Sequence, residues 1–232
     1  MRTLLVPAPL APGPIDLSEE EAYHGRSVLR LRVGDEVRIA DGAGRAGLAV
    51  VRADRRTLTV ETIGPIEQLA PDPAAHLTVA CAPPKGDRFA DLVRGLTELG
   101  VGRILPLACA RGERLPNDTQ LERLRRIAAE ALKQCRRSHL PELGPLAEIA
   151  TLAQSGSGLT FLDRDAPPAR PGPLCPTVLV IGPEGGFSPE ERQMLVAAGA
   201  NAARLAGPVL RIETAALAAA AVWATAWEEH RP

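Results

Sequence analysis

The sequence predicts an α/β protein in two parts: a small β-barrel or sandwich, then a parallel sheet covered by helices. Two observations predict it. Up to about residue 65, short β-like runs are broken by turn residues at roughly 8 to 12 residue spacing. From residue 77 the apolar pattern alternates strand, helix, strand, helix, which places strands side by side in parallel with helices on the faces.

In the first part the runs are 28–31, 36–40, 47–51 and 57–62, separated by Gly34-Asp35, Asp41-Gly42 and Asp54-Arg55. The stretch 64–76 (GPIEQLAPDPAAH) holds three prolines and no apolar period, so it reads as a linker between domains at 1–68 and 77–232. The second part opens with a strand at 77–82. A helix follows from Asp87, with Phe89, Leu92, Val93, Leu96 and Leu99 on one face and Gly100 as its stop. After a strand at 103–107, Thr119 with Glu122 forms a capping box for a helix that buries Leu121, Leu124, Ile127, Ala128, Ala131 and Leu132.

A strand at 158–162 and a proline-rich loop at 165–176 lead to a strand at 177–181, which runs directly into Gly182-Pro183-Glu184-Gly185-Gly186. Ser188 with Glu191, and Pro189 at the first helical position, start the next helix, and Gly199 ends it. A strand near 203–205, a loop at 206–211 and an Ala-rich helix at about 213–229 complete the pattern.

Composition excludes several classes. Lys plus Arg number 27 against 28 for Asp plus Glu, a net charge of −1, which rules out a uniformly basic coat for nucleic acid but leaves local basic faces. With 45% apolar and 24% charged residues the 232-residue chain can bury a real core. Three Phe, two Trp and one Tyr are too few to read RNA by stacking on many aromatic side chains. Cys81, Cys109, Cys135 and Cys175 are too widely spaced for a zinc site or a disulfide framework, so reduced thiols, no metal and a cytoplasmic location are expected. No run of 18 apolar residues occurs, so no membrane association is expected.

Three constellations could carry chemistry. The first is the strand, Gly-rich loop and helix start across 178–191, where Gly185 and Gly186 let backbone N–H groups approach a ligand. It matches neither GxGxxG nor GxxxxGK[ST], which disfavours a dinucleotide or nucleoside-triphosphate site. A tight turn whose glycines serve geometry alone is the alternative. The second is 205–216 (LAGPVLRIETAA), another Gly/Pro loop leading into a helix. Two such loops on one sheet would form a cleft, with Arg211 and Glu213 at its mouth. The third is basic. Nine Lys or Arg (Arg103, Arg111, Arg114, Arg123, Arg125, Arg126, Lys133, Arg136, Arg137) face four acids (Glu113, Asp118, Glu122, Glu130) over 103–137, and Arg26, Arg30, Arg32 and Arg38 crowd the first part. A solvated helix face and an RNA-backbone surface are both consistent with such a run. His24, His76, His139 and His230 form no triad with a nucleophile, and no GxSxG is present, so acyl transfer is not expected.

Taken in order, these motifs resemble the RsmE family of 16S ribosomal RNA (uracil-N3)-methyltransferases, in the SPOUT superfamily. The resemblance rests on His24 with Val28-Leu29-Arg30, Gly34-Asp35, Asp41-Gly42, Lys85-Gly86-Asp87, Thr97-Glu98-Leu99-Gly100-Val101 and Gln134 with Arg137. It rests also on Ile181-Gly182-Pro183-Glu184-Gly185-Gly186-Phe187-Ser188 and on Leu210-Arg211 with Glu213-Thr214-Ala215. The chain departs from the family pattern at Gly95, usually Lys, at Arg136, usually Gly, and at Ala206 and Pro208, usually Gly and Arg.

The resemblance implies a PUA-like β-barrel for RNA recognition, then a SPOUT-type parallel sheet with a C-terminal deep trefoil knot. It implies S-adenosylmethionine as cofactor, a homodimer, and the small ribosomal subunit with its 16S rRNA as partner. Carried onto this sequence, the cofactor residues would be Leu162, Gly182, Glu184, Gly185, Gly186, Leu205, Gly207, Leu210, Arg211, Thr214 and Ala215. Arg211, Glu184 and Arg137 are the catalytic candidates: a cation for the anionic N3 from either arginine, a proton acceptor from Glu184. His24, Arg26, Arg30, Lys85, Arg136 and Arg137 are the RNA-binding candidates. A SPOUT enzyme on another RNA such as tRNA, and a non-catalytic RNA-binding or assembly protein, are the alternatives.

Overall fold

The computed structural model describes residues 1–54, 58–112, 115–154 and 158–228. Arg55, Thr57, Glu113, Arg114, Glu229 and His230, which figure in the sequence reading, lie outside the described residues. The chain forms two compact units, one of Met1–Pro71 with Ala129–Leu140, the other of Asp72–Ala128 with Pro141–Pro232.

The first unit is built on a five-stranded sheet. Its strands are β1 (Thr3–Leu5), β2 (Pro14–Asp16), β3 (Glu36–Ala40), β4 (Arg45–Asp54) and β5 (Leu58–Gln68), in the order β1-β3-β4-β5-β2. β1 pairs with β3 in parallel; the remaining pairs are antiparallel. Alternate apolar side chains from these strands, among them Leu4, Val37, Ile39, Val51, Leu58 and Val60, form the core. Asp41 ties the turn after β3 together: its carboxylate accepts the backbone N–H groups of Leu10, Ala43 and Arg45 at 3.1, 2.8 and 3.0 Å.

The run at 28–31 is not a strand. Ser18 Oγ accepts the Glu21 N–H and starts helix α1 (Glu19–Tyr23), which passes into a π-helical turn at His24–Val28. Gly25 makes this packing possible, because a Cβ there would come within 2.6 Å of Leu58. Residues 64–76 are not a free linker either. β5 continues to Gln68 because it pairs with β4 as far as Arg45, and Pro73–His76 forms a 3-10 turn.

The second unit holds a seven-stranded sheet: β6 (Leu77–Cys81), β7 (Arg103–Ala108), β8 (Glu142–Leu143), β9 (Ala147–Glu148), β10 (Gly158–Leu162), β11 (Thr177–Ile181) and β12 (Asn201–Ala203). Its order is β12-β10-β11-β6-β7-β8, with β9 also on β7, and its pairs are parallel, as the alternating pattern predicts. β11 sits centrally, and its five residues are all buried.

The helices are α2 (Arg88–Glu98), α3 (Asp118–Cys135), α4 (Ile149–Ala153), α5 (Pro189–Ala197) and α6 (Ile212–Glu228). Phe89, Leu92, Val93 and Leu96 of α2 are buried as their spacing requires. Two caps differ from expectation. The box that opens α3 is Asn117 with Gln120, each side-chain oxygen accepting the other's backbone N–H at 2.9 Å, two residues before Thr119. Asp87 makes no capping bond; its carboxylate instead takes Arg123 at 3.0 Å. The Ser188–Glu191 box with Pro189 forms as the sequence predicts. Both tryptophans of α6 are buried, and Trp227 donates to the Gly172 carbonyl at 3.0 Å.

Candidate active site

Parallel strands β10, β11 and β12 all deliver their carboxyl ends to one edge of the sheet, where an α/β fold opens a crevice. At that edge lies a cavity of about 420 Å³ in the second unit. Its walls are the end of β10 and the following turn (162–165), the Gly-rich loop (181–187) and the loop before α6 (203–206 and 208–210), with Ile212 and Ala215 from α6 itself.

Leu162, Gly182, Glu184, Gly185, Gly186, Leu205, Leu210 and Ala215 therefore meet around one space, although they come from three separate segments. Gly207, Arg211 and Thr214 do not line it; Gly207 and Arg211 are exposed residues of the second loop itself, and Thr214 is exposed on the first turn of α6. The lining also includes Asp163, Arg164, Asp165, Phe187, Arg192 and Arg204. The first three sit on a proline-rich loop without apolar periodicity, so only the carboxyl end of β10 could have signalled them. Asp163 is ion-paired to Arg192, and the Arg192 guanidinium lies 5.9 Å from the centre of the Phe161 ring.

The Gly-rich loop is held on several sides. Gly186 adopts a φ of +70°, a conformation that side chains rarely adopt. Gly182 packs against Phe187, whose ring would be 3.0 Å from a Cβ at that position. Glu191 uses one carboxylate oxygen to close its own helix cap on the Ser188 N–H and the other to accept the Ala110 N–H, each at 2.7 Å. Next to it, Arg111 donates to the Gly185 carbonyl at 2.9 Å. The loop at 109–112 thus fastens the Gly-rich loop twice.

Arg88, at the start of α2, stands 3.6 Å from both Glu184 and Glu213. It joins the Gly-rich loop to the first turn of α6, and the second oxygen of Glu213 is buried with no hydrogen-bond partner. Arg88 directly follows the Lys85-Gly86-Asp87 motif, yet no local pattern in the sequence marks it as a site residue.

The other candidates belong to the first unit except Lys85. His24 Nδ1 lies 3.8 Å from Glu130, Arg26 is half-buried, and Arg30 is exposed with a φ of +52°. Arg136 follows α3 with a φ of +60°, and Arg137 is half-buried, its carbonyl accepting from Arg38 at 3.4 Å. Burial first, and Arg136 second, hold the Arg38 guanidinium below its ordinary value. Among the described residues, no group of three or more His, Cys, Asp or Glu could hold a metal, and no helix is long and apolar enough to cross a membrane.

A parallel sheet that carries a loop-lined cavity at its carboxyl edge is the arrangement in which α/β domains hold small ligands. Residues 71–224 match the family model of the RNA methyltransferase domain, and residues 17–63 match that of the RNA methyltransferase PUA domain. The chain is 30% identical to the ribosomal RNA small subunit methyltransferase E of Synechocystis, over 92% of this chain and 74% of that protein. It is 31% identical to that of Mycobacterium tuberculosis, over 90% of this chain and 86% of that protein. The crystal structure of the Neisseria gonorrhoeae ribosomal RNA small subunit methyltransferase E bound to S-adenosyl methionine superposes with a TM-score of 0.85 at 26% identity, over 98% of each chain. A putative methyltransferase from Legionella pneumophila in complex with SAM gives 0.84 at 26% identity, again over 98% of each. The chain belongs to the ribosomal RNA small subunit methyltransferase E family of RNA methyltransferases.

Proposed function

We propose that this protein transfers a methyl group from S-adenosylmethionine to N3 of a uracil in 16S ribosomal RNA of the small subunit, in the cytoplasm and as a homodimer. The observation that carries the reading is the cavity itself: in a member of this family, its three lining segments converge on one space of about 420 Å³, within the range of small-molecule clefts. The residues present fit the cofactor. Leu162, Leu205, Leu210 and Ala215 offer apolar walls, and Gly182, Glu184, Gly185 and Gly186 bring backbone groups to the same space. Gly207 and Arg211 of the second loop and Thr214 of α6 do not line the cavity, and we assign them to the cofactor from its exposed side.

The cofactor's sulfonium supplies an electrophilic methyl, so the chain's task is to orient the acceptor and manage its proton. N3 of uracil is an imide N–H and must lose that proton as it is alkylated. Glu184, exposed and backed by Arg88, is the proton acceptor, and Arg211 supplies the cation that stabilises the anionic ring. His24, Arg26, Arg30, Lys85, Arg136 and Arg137 bind the RNA. The match at 17–63 supports a PUA-like barrel as the RNA-recognition domain at 1–68, joined to a methyltransferase domain at 77–232. In that second domain we place the deep trefoil knot of the SPOUT superfamily.

The test is tritiated methyl transfer to small subunits that lack the modification, followed by nucleoside analysis. Label in 3-methyluridine is expected; label in another nucleoside overturns the assignment. Calorimetry should show S-adenosylmethionine binding at micromolar affinity, about 8 kcal/mol.

A further inference from the structure

A second cleft of about 250 Å³ lies in the same unit, between the loop that leaves β6 and the first turns of α2 and α3. Pro83, Pro84 and Pro116 give it apolar walls, Lys85 and Arg123 give it cations, and Gln120 lies at its side. Gln120 Oε1 is taken by the Asn117 N–H in the helix cap, which leaves the amide N–H₂ to donate to a ligand. The cleft is not remote from the cavity at the Gly-rich loop. β6 and β11 are adjacent parallel strands paired through Cys81 and Ile181, and the Ala82 N–H donates to the Ile181 carbonyl at 2.9 Å. Arg88 completes the link, since its Nε donates to the Lys85 carbonyl at 3.1 Å while its Nη1 reaches Glu184 and Glu213.

We infer that this cleft is a subsite for a nucleotide of the RNA strand next to the one that is methylated. Lys85 and Arg123 take its phosphate, the proline walls take the flat faces of sugar and base, and Gln120 donates to a base edge or ribose oxygen. Asp87 also lines the cleft and pairs with Arg123 at 3.0 Å, so the phosphate takes the guanidinium in competition with that exposed carboxylate. The assignment rests on the RNA methyltransferase reading and adds a place where the strand is gripped beside the reacting base.

The experiment measures steady-state methylation of unmodified small subunits, salt-dependent binding of a labelled single-stranded RNA, and calorimetry with S-adenosylmethionine alone. The variants are K85A/R123A and Q120E, the latter keeping the oxygen that caps α3. K85A/R123A should raise KM for subunits on the order of tenfold and flatten the salt slope of RNA binding by about 0.7 per cation removed. Cofactor affinity should stay at the wild-type value. Q120E should weaken RNA binding in the same direction by placing a carboxylate in the cleft. Unchanged KM and salt slope in variants of an active enzyme overturn the subsite, as does a loss confined to cofactor affinity. Competition by millimolar inorganic phosphate alone would assign the cleft to a free anion and likewise overturn it. A wild-type enzyme that makes no 3-methyluridine would instead defeat the proposed activity, a separate outcome.

Discussion

Lys133 Nζ stands 2.9 Å from Glu21 Oε2, and both side chains are buried. Glu21 Oε1 accepts the Leu5 N–H at 3.0 Å, so one carboxylate joins α1, the end of α3 and the first strand within the first unit. Lys133 Nζ also stands 2.7 Å from Glu130 Oε1, so loss of Glu21 leaves the ammonium with that one carboxylate, whereas the Leu5 N–H loses its acceptor. Glu21→Ala should cost about 1–3 kcal/mol and show as faster amide exchange in β1 and α1. The double variant Glu21→Leu, Lys133→Met should recover only part of that loss, because an apolar pair removes both charges together but still leaves the Leu5 N–H without its acceptor.

Arg136 occupies a left-handed conformation directly after α3, a position at which glycine carries no steric penalty. A side chain in that region costs about 1 kcal/mol or more. Arg136→Gly should therefore raise thermal stability by roughly 1 kcal/mol in scanning calorimetry, and it also removes a charge that repels Arg38. Weaker binding to RNA should accompany the gain.

Asp41 gives the first unit an acid-sensitive turn. Burial pushes its carboxyl up, but the N–H donors of Leu10, Ala43 and Arg45 outweigh that and hold it below its ordinary value of 3.8. A depressed native value means that the stability it contributes is complete above the unfolded value and is lost as pH falls through the folded one. Asp41→Asn should destabilise at pH 7 by about 1–3 kcal/mol, because an amide N–H₂ then meets the Leu10 N–H. The difference from wild type should shrink below about pH 4, as chemical denaturation at a series of pH values would record.

Gly182 and Gly186 of the Gly-rich loop should fail differently. A Cβ at Gly186 meets nothing within 4 Å, so Gly186→Val acts through its positive φ and shifts the backbone path. Cofactor affinity should fall at least tenfold with a modest loss of stability. At Gly182 an added methyl presses on the Phe187 ring at 3.0–3.2 Å, so Gly182→Ala should lower stability as well as affinity. Calorimetric titration paired with thermal denaturation separates the two.

Cysteine labelling should follow burial. Cys81 and Cys109 are pushed up to about 12, chiefly by burial, with Cys109 acting further on Cys81 and Glu191 on Cys109. At pH 7.5 both remain thiols, so iodoacetamide should modify exposed Cys175 first, as mass spectrometry would report.

Features encoded within a few residues were legible from the sequence. Ser188, Pro189 and Glu191 form the expected cap because its three parts are local, and 177–181 reads as a strand because a central parallel strand is apolar throughout. Features that depend on distant partners were not. Three-residue strands β1 and β2 exist only through pairing with β3 and β5, and the apolar run at 28–31 begins in the π-helical turn His24–Val28 instead of extending as a strand. In the site, glycine pattern and family resemblance pointed to both loops, yet Asp163 and Arg192 became visible only once β10 and α5 were folded beside each other. Arg88 was hidden for the same reason, since its two carboxylates lie 96 and 125 residues further along the chain (184−88 and 213−88).

The two oxygens of Glu191 reach different loops, and with Arg111 they fix the Gly-rich segment from outside the cavity. Ordering that segment is thus completed during folding, and a ligand that enters has little loop entropy left to remove. Glu191→Gln should therefore weaken ligand binding through the entropy of association while the favourable heat stays nearly constant. A residue that touches no ligand would in this way set part of its residence time.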